Sequence, residues 1–318
     1  MRAVWLREFG GPEVLVPGEA PDPVPGDGQV LVEVEYANVT FVETQMRSGN
    51  GPQPFTPGLP MVPGNGVGGT VAAVGPGADP GLVGRRVVSG MGGSGGYAEL
   101  AVVDARGLFE VPDGLPLDEA VALLADGRTA TLMMWAARPA AGERVLVEAA
   151  AGGVGTLLVQ LAKAAGAVVV AAAGGTHKAE IALGLGADEA VDYREPGWSE
   201  KVEPVDVVFD GVGGDVAREA FTLLRAGGRM VSFGLASGEW ADVPEEAARA
   251  REVALLRPRP EPQEMRDATE SALREAAAGR LRPVIGQRFP LRNAADAHAA
   301  IQSRATTGKT LLEVRGAW

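Results

Sequence analysis

Residues 145–155 have the sequence VLVEAAAGGVG and run directly into TLLVQLAK at residues 156–163. This pattern predicts a buried strand, a glycine-rich turn and a helix, in that order. Such a unit directs backbone N–H groups and a helix N-terminus toward a pyrophosphate. In the spacing G-x-G-x-x-G, Ala150 stands at the first glycine position, while Gly152 and Gly155 occupy the other two. A second apolar strand begins at Val168, as a βαβ unit requires, so we interpret the turn as a dinucleotide site rather than a purely structural turn.

The loop after that second strand bears on which dinucleotide binds. A site for NAD places an acidic side chain there, which accepts a hydrogen bond from the ribose 2′-hydroxyl. Residues 172–178 are AAGGTHK, and no acid occurs before Glu180. Lys178, together with Arg194 after the next predicted strand, suits the 2′-phosphate of NADPH, because a dianionic phosphate attracts cations. The alternative is that both cations are solvated surface residues.

The composition excludes several kinds of site. The 318 residues include no cysteine, which excludes disulfides, thiolate zinc sites, iron–sulfur clusters and a cysteine nucleophile. The sequence has two histidines and predicts no metal site; we expect His177 at the surface and His298 in a structural position. A net charge of −12 disfavours nucleic acid as a partner, since phosphate binding needs clustered Lys and Arg. No apolar run is long enough to span a bilayer and no signal peptide follows Met1, so we expect a cytoplasmic protein without a membrane partner.

The character of the sequence changes along the chain. Residues 1–121 contain short β-rich runs punctuated by Gly and Pro, which predicts a small all-β unit. Residues 122–259 alternate alanine-rich helical stretches with strands that are apolar on both faces, which predicts a parallel sheet. The segment 260–318 ends in a strand-like run, Lys309–Val314, that can return to the first β unit. The predicted fold class is therefore α/β, with a discontinuous β domain (1–121 and 260–318) and a doubly wound parallel-sheet domain (122–259).

The turn at 149–155 is accompanied by further motifs: FGGPEVL at 9–15, MRSG at 46–49, GAD at 186–188, VDYR at 191–194, DGVGG at 210–214, GGR at 227–229 and SRATTGK at 303–309. Together they resemble the medium-chain dehydrogenase/reductase superfamily, and within it the zinc-independent quinone oxidoreductase branch that includes zeta-crystallin. The resemblance implies a GroES-like β domain and a Rossmann domain, with the active site in the cleft between them. It also implies a homodimer in which edge strands of two Rossmann sheets pair, and Val253–Leu256 is the candidate edge.

The resemblance further implies a set of cofactor-binding residues. Lys178 and Tyr193 match positions that hold the adenosine 2′-phosphate, and Thr129 matches a threonine near the nicotinamide and the phosphates. Three positions match the backbone that lines the nicotinamide half of the cofactor, namely Gly213, Phe233 and Gly234. The complete set expected to bind NADPH is Thr129, Ala151, Gly152, Gly153, Val154, Gly155, Gly174, Gly175, Lys178, Tyr193, Gly213, Phe233 and Gly234.

Three departures from the family pattern fall near the expected substrate pocket. The usual Asn-x-x-Asp pair is Thr40 and Glu43 here, and the tyrosine two positions after the acid is Gln45. The usual Pro-Gly-x-Glu segment ends in Gly66 instead of the acid. We assign no catalytic residue and name Thr40 and Gln45, with Asn38, as pocket candidates that would hydrogen-bond a developing oxyanion. The alternative is ordinary packing of polar side chains.

The predicted chemistry follows from the cofactor. Hydride transfer needs no protein nucleophile, because the nicotinamide supplies the reactive carbon. Without zinc, alcohol oxidation needs another strong electrophile, whereas a quinone or an activated C=C bond delocalises the arriving charge. The sequence therefore predicts an NADPH-dependent, metal-independent reductase of small-molecule quinones or α,β-unsaturated carbonyls. Two alternatives stay open: a dedicated enoyl reductase of a biosynthetic pathway, and an NADPH-binding sensor or structural protein without turnover.

Overall fold

A computed structural model describes residues 1–51 and 58–316. The chain divides into two compact units, Met1–Ala125 with Leu273–Trp318 and Asp126–Ala272. The first unit is discontinuous in sequence, as the fold prediction requires. The exact limits expected from the sequence, after residues 121 and 259, stay a prediction.

Antiparallel strands dominate the amino-terminal part of the first unit. Its regular elements in chain order are β1 (Arg2–Leu6), β2 (Leu15–Glu19), β3 (Gln29–Val39), α1 (Phe41–Ser48), β4 (Gly66–Val74), β5 (Arg86–Gly90), β6 (Leu100–Asp104), β7 (Leu108–Glu110) and the first residues of α2 (Leu117–Ala137).

Strands and helices alternate in the second unit, as predicted for a doubly wound domain. After α2 the chain forms β8 (Arg144–Glu148), α3 (Gly153–Ala164), β9 (Val168–Ala173), α4 (Thr176–Gly184), β10 (Glu189–Asp192), β11 (Val205–Asp210), α5 (Gly214–Thr222), β12 (Leu224–Ser232), α6 (Glu245–Ala250), β13 (Ala254–Leu256) and α7 (Pro262–Ala277). The remaining elements, which complete the first unit, are β14 (Ile285–Pro290), α8 (Ala294–Gln302) and β15 (Lys309–Glu313).

The first unit contains a seven-stranded sheet with the order β14-β15-β3-β4-β5-β7, in which β6 also pairs with β3. Strand β15 pairs antiparallel with β3, from Thr310 opposite Val39 to Glu313 opposite Tyr36. The predicted return of the last strand to the amino-terminal β unit is therefore confirmed. Strands β1 and β2 form a separate two-stranded sheet.

The second unit contains a six-stranded parallel sheet with the order β10-β9-β8-β11-β12-β13. Its central strands are buried on both faces because helices cover both sides of a doubly wound sheet. Strand order reverses between β8 and β11, and ligands of open α/β sheets bind at the carboxyl edge beside such a reversal. The expected strand at residues 253–256 is β13, which lies at one end of the sheet. None of the described helices combines the length and the apolar character that a membrane crossing requires.

Candidate functional site

The turn between β8 and α3 has the shape that its glycines predict. Ala149 adopts a left-handed conformation with φ of 47°, and its carbonyl oxygen accepts the N–H of Gly152 at 2.7 Å. Gly152 is the N-cap residue of α3, so Gly153, Val154 and Gly155 form the first turn of that helix. The first N–H groups of a helix have no acceptors within the helix, and the helix dipole favours an anion beside them. This turn can therefore receive a pyrophosphate.

Gly155 sits where α3 comes closest to the turn. A Cβ atom at this position would lie 2.9 Å from both the carbonyl carbon of Ala149 and the Cα of Ala150, and closer still to the carbonyl oxygen of Ala149. A Cβ atom at Gly152 would meet that same oxygen at the looser distance of 3.2 Å. Close packing within the turn therefore requires glycine at position 155. At Gly152 a Cβ atom would meet only one atom within 4 Å, so this side of the turn has room for a ligand.

The loop after β9 meets the end of β10. A Cβ atom on Gly174 would lie 3.2 Å from Oη of Tyr193, and one on Gly175 would lie 2.5 Å from Nη2 of Arg194. Gly175 has φ of 115°, a conformation that a larger residue rarely adopts. Lys178 lies half-buried in the first turn of α4, directly after this loop. The structure thus places Gly174 beside Tyr193 and Gly175 beside Arg194, and the assignment of this loop to a phosphate stays a prediction.

Arg194 is already paired. Its guanidinium donates to Asp192 at 2.8 and 3.0 Å, and its backbone N–H donates to the same carboxylate at 3.0 Å. These bonds from Arg194 hold the pKa of Asp192 below its usual value. The guanidinium expected from the sequence to attract a 2′-phosphate is therefore shared with an acid two residues away. His177 is exposed, in line with the expected surface position.

The loops after β11 and β12 also pack on each other. A Cβ atom on Gly234 would lie 2.5 Å from the carbonyl oxygen of Gly211, and one on Gly211 would lie 2.9 Å from the ring of Phe233. Gly213 has φ of 73° and donates its N–H to Asp210 at 2.8 Å. All three predicted residues of the nicotinamide half, Gly213, Phe233 and Gly234, therefore belong to one packed pair of loops at the carboxyl edge of the sheet. Thr129 lies half-buried in α2 and does not belong to these loops.

In the first unit, Thr40 is engaged in capping a helix. Thr40 precedes α1, and Oε2 of Glu43 accepts both its backbone N–H at 2.7 Å and its hydroxyl at 2.9 Å. Oε1 of Glu43 accepts the N–H of Asn65 at 2.9 Å. Burial raises the pKa of Glu43, and the bonds from Thr40 partly oppose that rise. The sequence T-x-x-E carries the signal of a capping box, which could have identified this arrangement in advance.

The other pocket candidates differ from Thr40. Gln45 is half-buried on α1, and its side-chain amide makes no hydrogen bond with the described residues. Asn38 is fully buried, and neither its Nδ2 nor its Oδ1 has a partner in the described part of the chain. A Cβ atom on Gly66 would lie 3.0 Å from Nδ2 of Asn38. Two of the candidate donors are therefore unpaired, and one, Thr40, is not.

Sequence reasoning missed a buried pair of aromatic side chains. The hydroxyl of Tyr97 lies 2.9 Å from Nε2 of His298, and both side chains are fully buried. Burial, with a smaller contribution from the charge of Arg47, lowers the pKa of His298 to about 3. His298 is therefore neutral near pH 7, and burial beside Tyr97 holds its side chain in place.

Comparisons with known proteins agree with this architecture. A family model described as an alcohol dehydrogenase GroES-like domain matches residues 26–113, and one described as a zinc-binding dehydrogenase matches residues 185–312. Within residues 1–51 and 58–316, no three His, Cys, Asp or Glu side chains are grouped as metal ligands. The residues of this part of the chain therefore do not fit the zinc that the second description names.

Several full-length relatives are quinone oxidoreductases. The human protein is 33% identical over 329 residues, which cover 98% of this chain and 97% of the human one. The Pseudomonas aeruginosa protein is 33% identical over 325 residues, covering 98% of this chain and 99% of the relative. The structure of the Escherichia coli quinone oxidoreductase complexed with NADPH matches with a TM-score of 0.90 and 30% identity, covering 99% of this chain and all of that one. This chain belongs to the quinone oxidoreductase family of the medium-chain dehydrogenase/reductase superfamily and is an oxidoreductase.

Proposed function

We propose that this protein binds NADPH and transfers its hydride, without a metal ion, to a quinone or to the C=C bond of an α,β-unsaturated carbonyl compound. The main support is that three glycine-rich loops lie at the carboxyl edge of one parallel sheet, beside the reversal of strand order. The Escherichia coli relative solved with NADPH supports the choice of cofactor.

The residues at this edge fit the parts of NADPH. The turn 151–155 offers helix N–H groups to the pyrophosphate, and Gly152 keeps the approach open. Lys178 and Tyr193 would hold the 2′-phosphate beside Gly174 and Gly175. The loops of Gly213, Phe233 and Gly234 would line the nicotinamide half, and Thr129 of α2 would complete the set. When bound, the cofactor supplies a hydride from its nicotinamide ring.

A hydrogen-bond donor would stabilise the acceptor during the reaction. A quinone or an enone that gains a hydride develops negative charge on oxygen and then takes one proton to give the hydroquinone or the saturated carbonyl. We assign the side-chain amide of Gln45 as a donor to that oxygen, because it has no other partner among the described residues. The hydroxyl of Thr40 donates to Glu43 and is the weaker candidate.

An acceptor panel tests this function. Purified protein is mixed with NADPH or NADH and with quinones, enones and enoyl thioesters, and the nicotinamide absorbance is followed. We expect faster oxidation of NADPH than of NADH, with a quinone or an enone as acceptor. Preference for one enoyl thioester would favour the dedicated enoyl reductase. The departures from the family pattern at Thr40, Gln45 and Gly66 are consistent with a pocket for such a substrate. Tight binding of NADPH without oxidation by any acceptor would refute the enzymatic proposal and favour a sensor.

We also propose that the protein forms a homodimer through β13. This strand lies at the end of the parallel sheet, and Leu255 at its centre is 38% exposed. An unpaired edge strand with exposed apolar side chains readily pairs with another chain. Light scattering of the purified protein tests the proposal, and a monomer at micromolar concentration would contradict it.

A further inference from the structure

Two acidic side chains lie side by side beneath the proposed cofactor loops. Glu148 is the last residue of β8, and Asp210 is the last residue of β11. The strands are parallel neighbours with Phe209 opposite Val147, so the next residue on each strand is one of the two acids. Both side chains are fully buried. The proposed pyrophosphate turn begins directly after Glu148, and the loop of Gly213 begins directly after Asp210.

The two carboxyl groups share their hydrogen-bond partners. The N–H of Val212 donates to Oε2 of Glu148 and to Oδ1 of Asp210, at 3.2 Å in each case. The N–H of Gly213 donates to Oδ1 of Asp210 at 2.8 Å. Oε1 of Glu148 and Oδ2 of Asp210 receive no donor from the described part of the chain. Oε2 of Glu148 and Oδ1 of Asp210 each lie 3.2 Å from the nitrogen of Val212, so the two carboxyl groups are immediate neighbours. Two acceptor oxygens can form a hydrogen bond only if one of them carries a proton.

Among the described residues, no cation of the surrounding elements neutralises this pair. Beside Glu148 on β9 stands Ala172, and beside Asp210 on β12 stands Ser232. The cation of α3 is Lys163, which bonds Asp188 at 2.8 Å. On α5, Asp215 and Arg218 pair with each other at 2.7 Å at the surface. Burial, followed by the charge of Asp210, raises the pKa of Glu148 well above its ordinary value.

We propose that Glu148 keeps a proton that it donates to Asp210, and that the two side chains act as positioning residues, which hold the loop of Val212 and Gly213 against the pyrophosphate turn so that loss of this proton weakens NADPH binding. The inference rests on the proposed NADPH site. The singly protonated pair ties both loops through the N–H of Val212. When the proton leaves, two negative charges face each other in the buried interior, and the phosphates of NADPH add further negative charge nearby.

The direction of the pH dependence follows from the proton. Because burial raises the pKa of Glu148 well above its ordinary value, its proton is lost only at a higher pH than that of an exposed glutamic acid, and binding weakens as the pH rises. We expect the Kd for NADPH to rise about tenfold as Glu148 loses its proton, which equals a change of one unit in the pKa of Glu148 between the free and the bound protein.

Glu148→Gln tests this expectation. The amide keeps the size of the side chain, donates to Asp210 through Nε2 and accepts from Val212 through Oε1, but it cannot lose a proton. We expect a Kd within about twofold of the wild-type value at neutral pH and no alkaline rise. Glu246→Gln, which removes one charge from the exposed face of α6, is the control and keeps the wild-type profile. Equal pH profiles for the wild type and Glu148→Gln would overturn the proposal.

A second measurement needs neither NADPH nor a variant. Infrared difference spectra of the wild-type protein are expected to show a protonated carboxyl band at neutral pH that disappears at alkaline pH. In Glu148→Gln the part of this band that Glu148 contributes is lost, whereas a contribution from Glu43, whose pKa burial also raises, stays unchanged. If NADPH binds and the wild-type protein lacks this band, the proton on Glu148 is refuted while the proposed function survives. If the band is present but NADPH does not bind at any pH, the proposed function fails and the positioning role fails with it.

Discussion

Replacing Gly155 by alanine forces one methyl group into the backbone of its own turn. The new carbon would lie 2.9 Å from the carbonyl carbon of Ala149 and from the Cα of Ala150, and nearer to the Ala149 oxygen. These neighbours are backbone atoms of the turn, so they cannot move as the end of a flexible side chain does. Relief therefore requires α3 to shift away from β8 by several tenths of an ångström.

The expected cost has two parts. Overpacking of a buried position typically lowers the free energy of unfolding by about 1–3 kcal/mol, and contact with backbone favours the upper end of this range. The shift also moves the N–H groups of residues 153–155, which would bind the pyrophosphate. We expect the Kd for NADPH to rise at least about tenfold, since charge-assisted hydrogen bonds contribute about 1.5–3 kcal/mol each.

Chemical denaturation measures the first part and fluorescence titration of NADPH measures the second. Gly184→Ala is the matched control, because Gly184 ends α4 and a Cβ atom there meets nothing within 4 Å. Alanine in place of an unstrained helical glycine should stabilise the protein, by about 0.5–1 kcal/mol. A Gly155→Ala protein with wild-type stability and wild-type affinity for NADPH would refute the assignment of the turn.

Three further perturbations probe the other parts of the site. Lys178→Ala is expected to reduce the preference for NADPH over NADH by about tenfold to a hundredfold, because a charge-assisted hydrogen bond to the 2′-phosphate is lost. Lys201→Ala, which removes a positive charge beside Glu195, should leave the ratio of the Kd for NADH to the Kd for NADPH unchanged. Tyr97→Phe is expected to lower the free energy of unfolding by about 1–3 kcal/mol, because it removes the hydroxyl that lies beside Nε2 of buried His298. Tyr36→Phe is the control in denaturant titrations. An equal decrease in the free energy of unfolding for both variants would contradict the role of the Tyr97 hydroxyl. His298, with a pKa of about 3 in the folded protein, binds a proton more readily in the unfolded chain. The contribution of neutral, buried His298 to the free energy of unfolding is therefore present above about pH 6.5 and is lost as the pH falls toward 3. We expect His298→Gln to remove this part of the acid dependence of the free energy of unfolding.

Local patterns allowed much of the second unit to be predicted. The turn at Gly152 and Gly155 follows from strand, glycine and helix signals that lie within twenty residues of one another, and β13 follows from an apolar run. The pairing of Arg194 with Asp192 was missed, although the two residues are close in sequence. Charge pairing between neighbouring surface residues depends on the backbone turn that orients them, and the sequence pattern alone did not predict that orientation.

The contacts that sequence reasoning missed in the first unit mostly join distant segments. The Tyr97 hydroxyl meets a histidine 201 residues away, and Glu43 caps the N–H of Asn65 from 22 residues away. Hydrophobic periodicity reports which face of an element is buried, but it does not report which polar atoms meet across the core. The same limit applies to Glu148 and Asp210, whose adjacency follows from the pairing of β8 with β11.

The position of β15 between β14 and β3 has a consequence for biosynthesis. A nascent chain that has emerged as far as residue 308 contains every strand from β3 to β7. The edge of β3 that later pairs with β15 still has unpaired backbone groups, among them those of Val39, which lies opposite Thr310 in the folded sheet. The parallel sheet of the second unit draws all its strands from residues 144–256 and has no such dependence. A chain that has emerged only as far as residue 308 can therefore fold its second unit while the sheet of its first unit still lacks β15 and the pairing of β14 that depends on it.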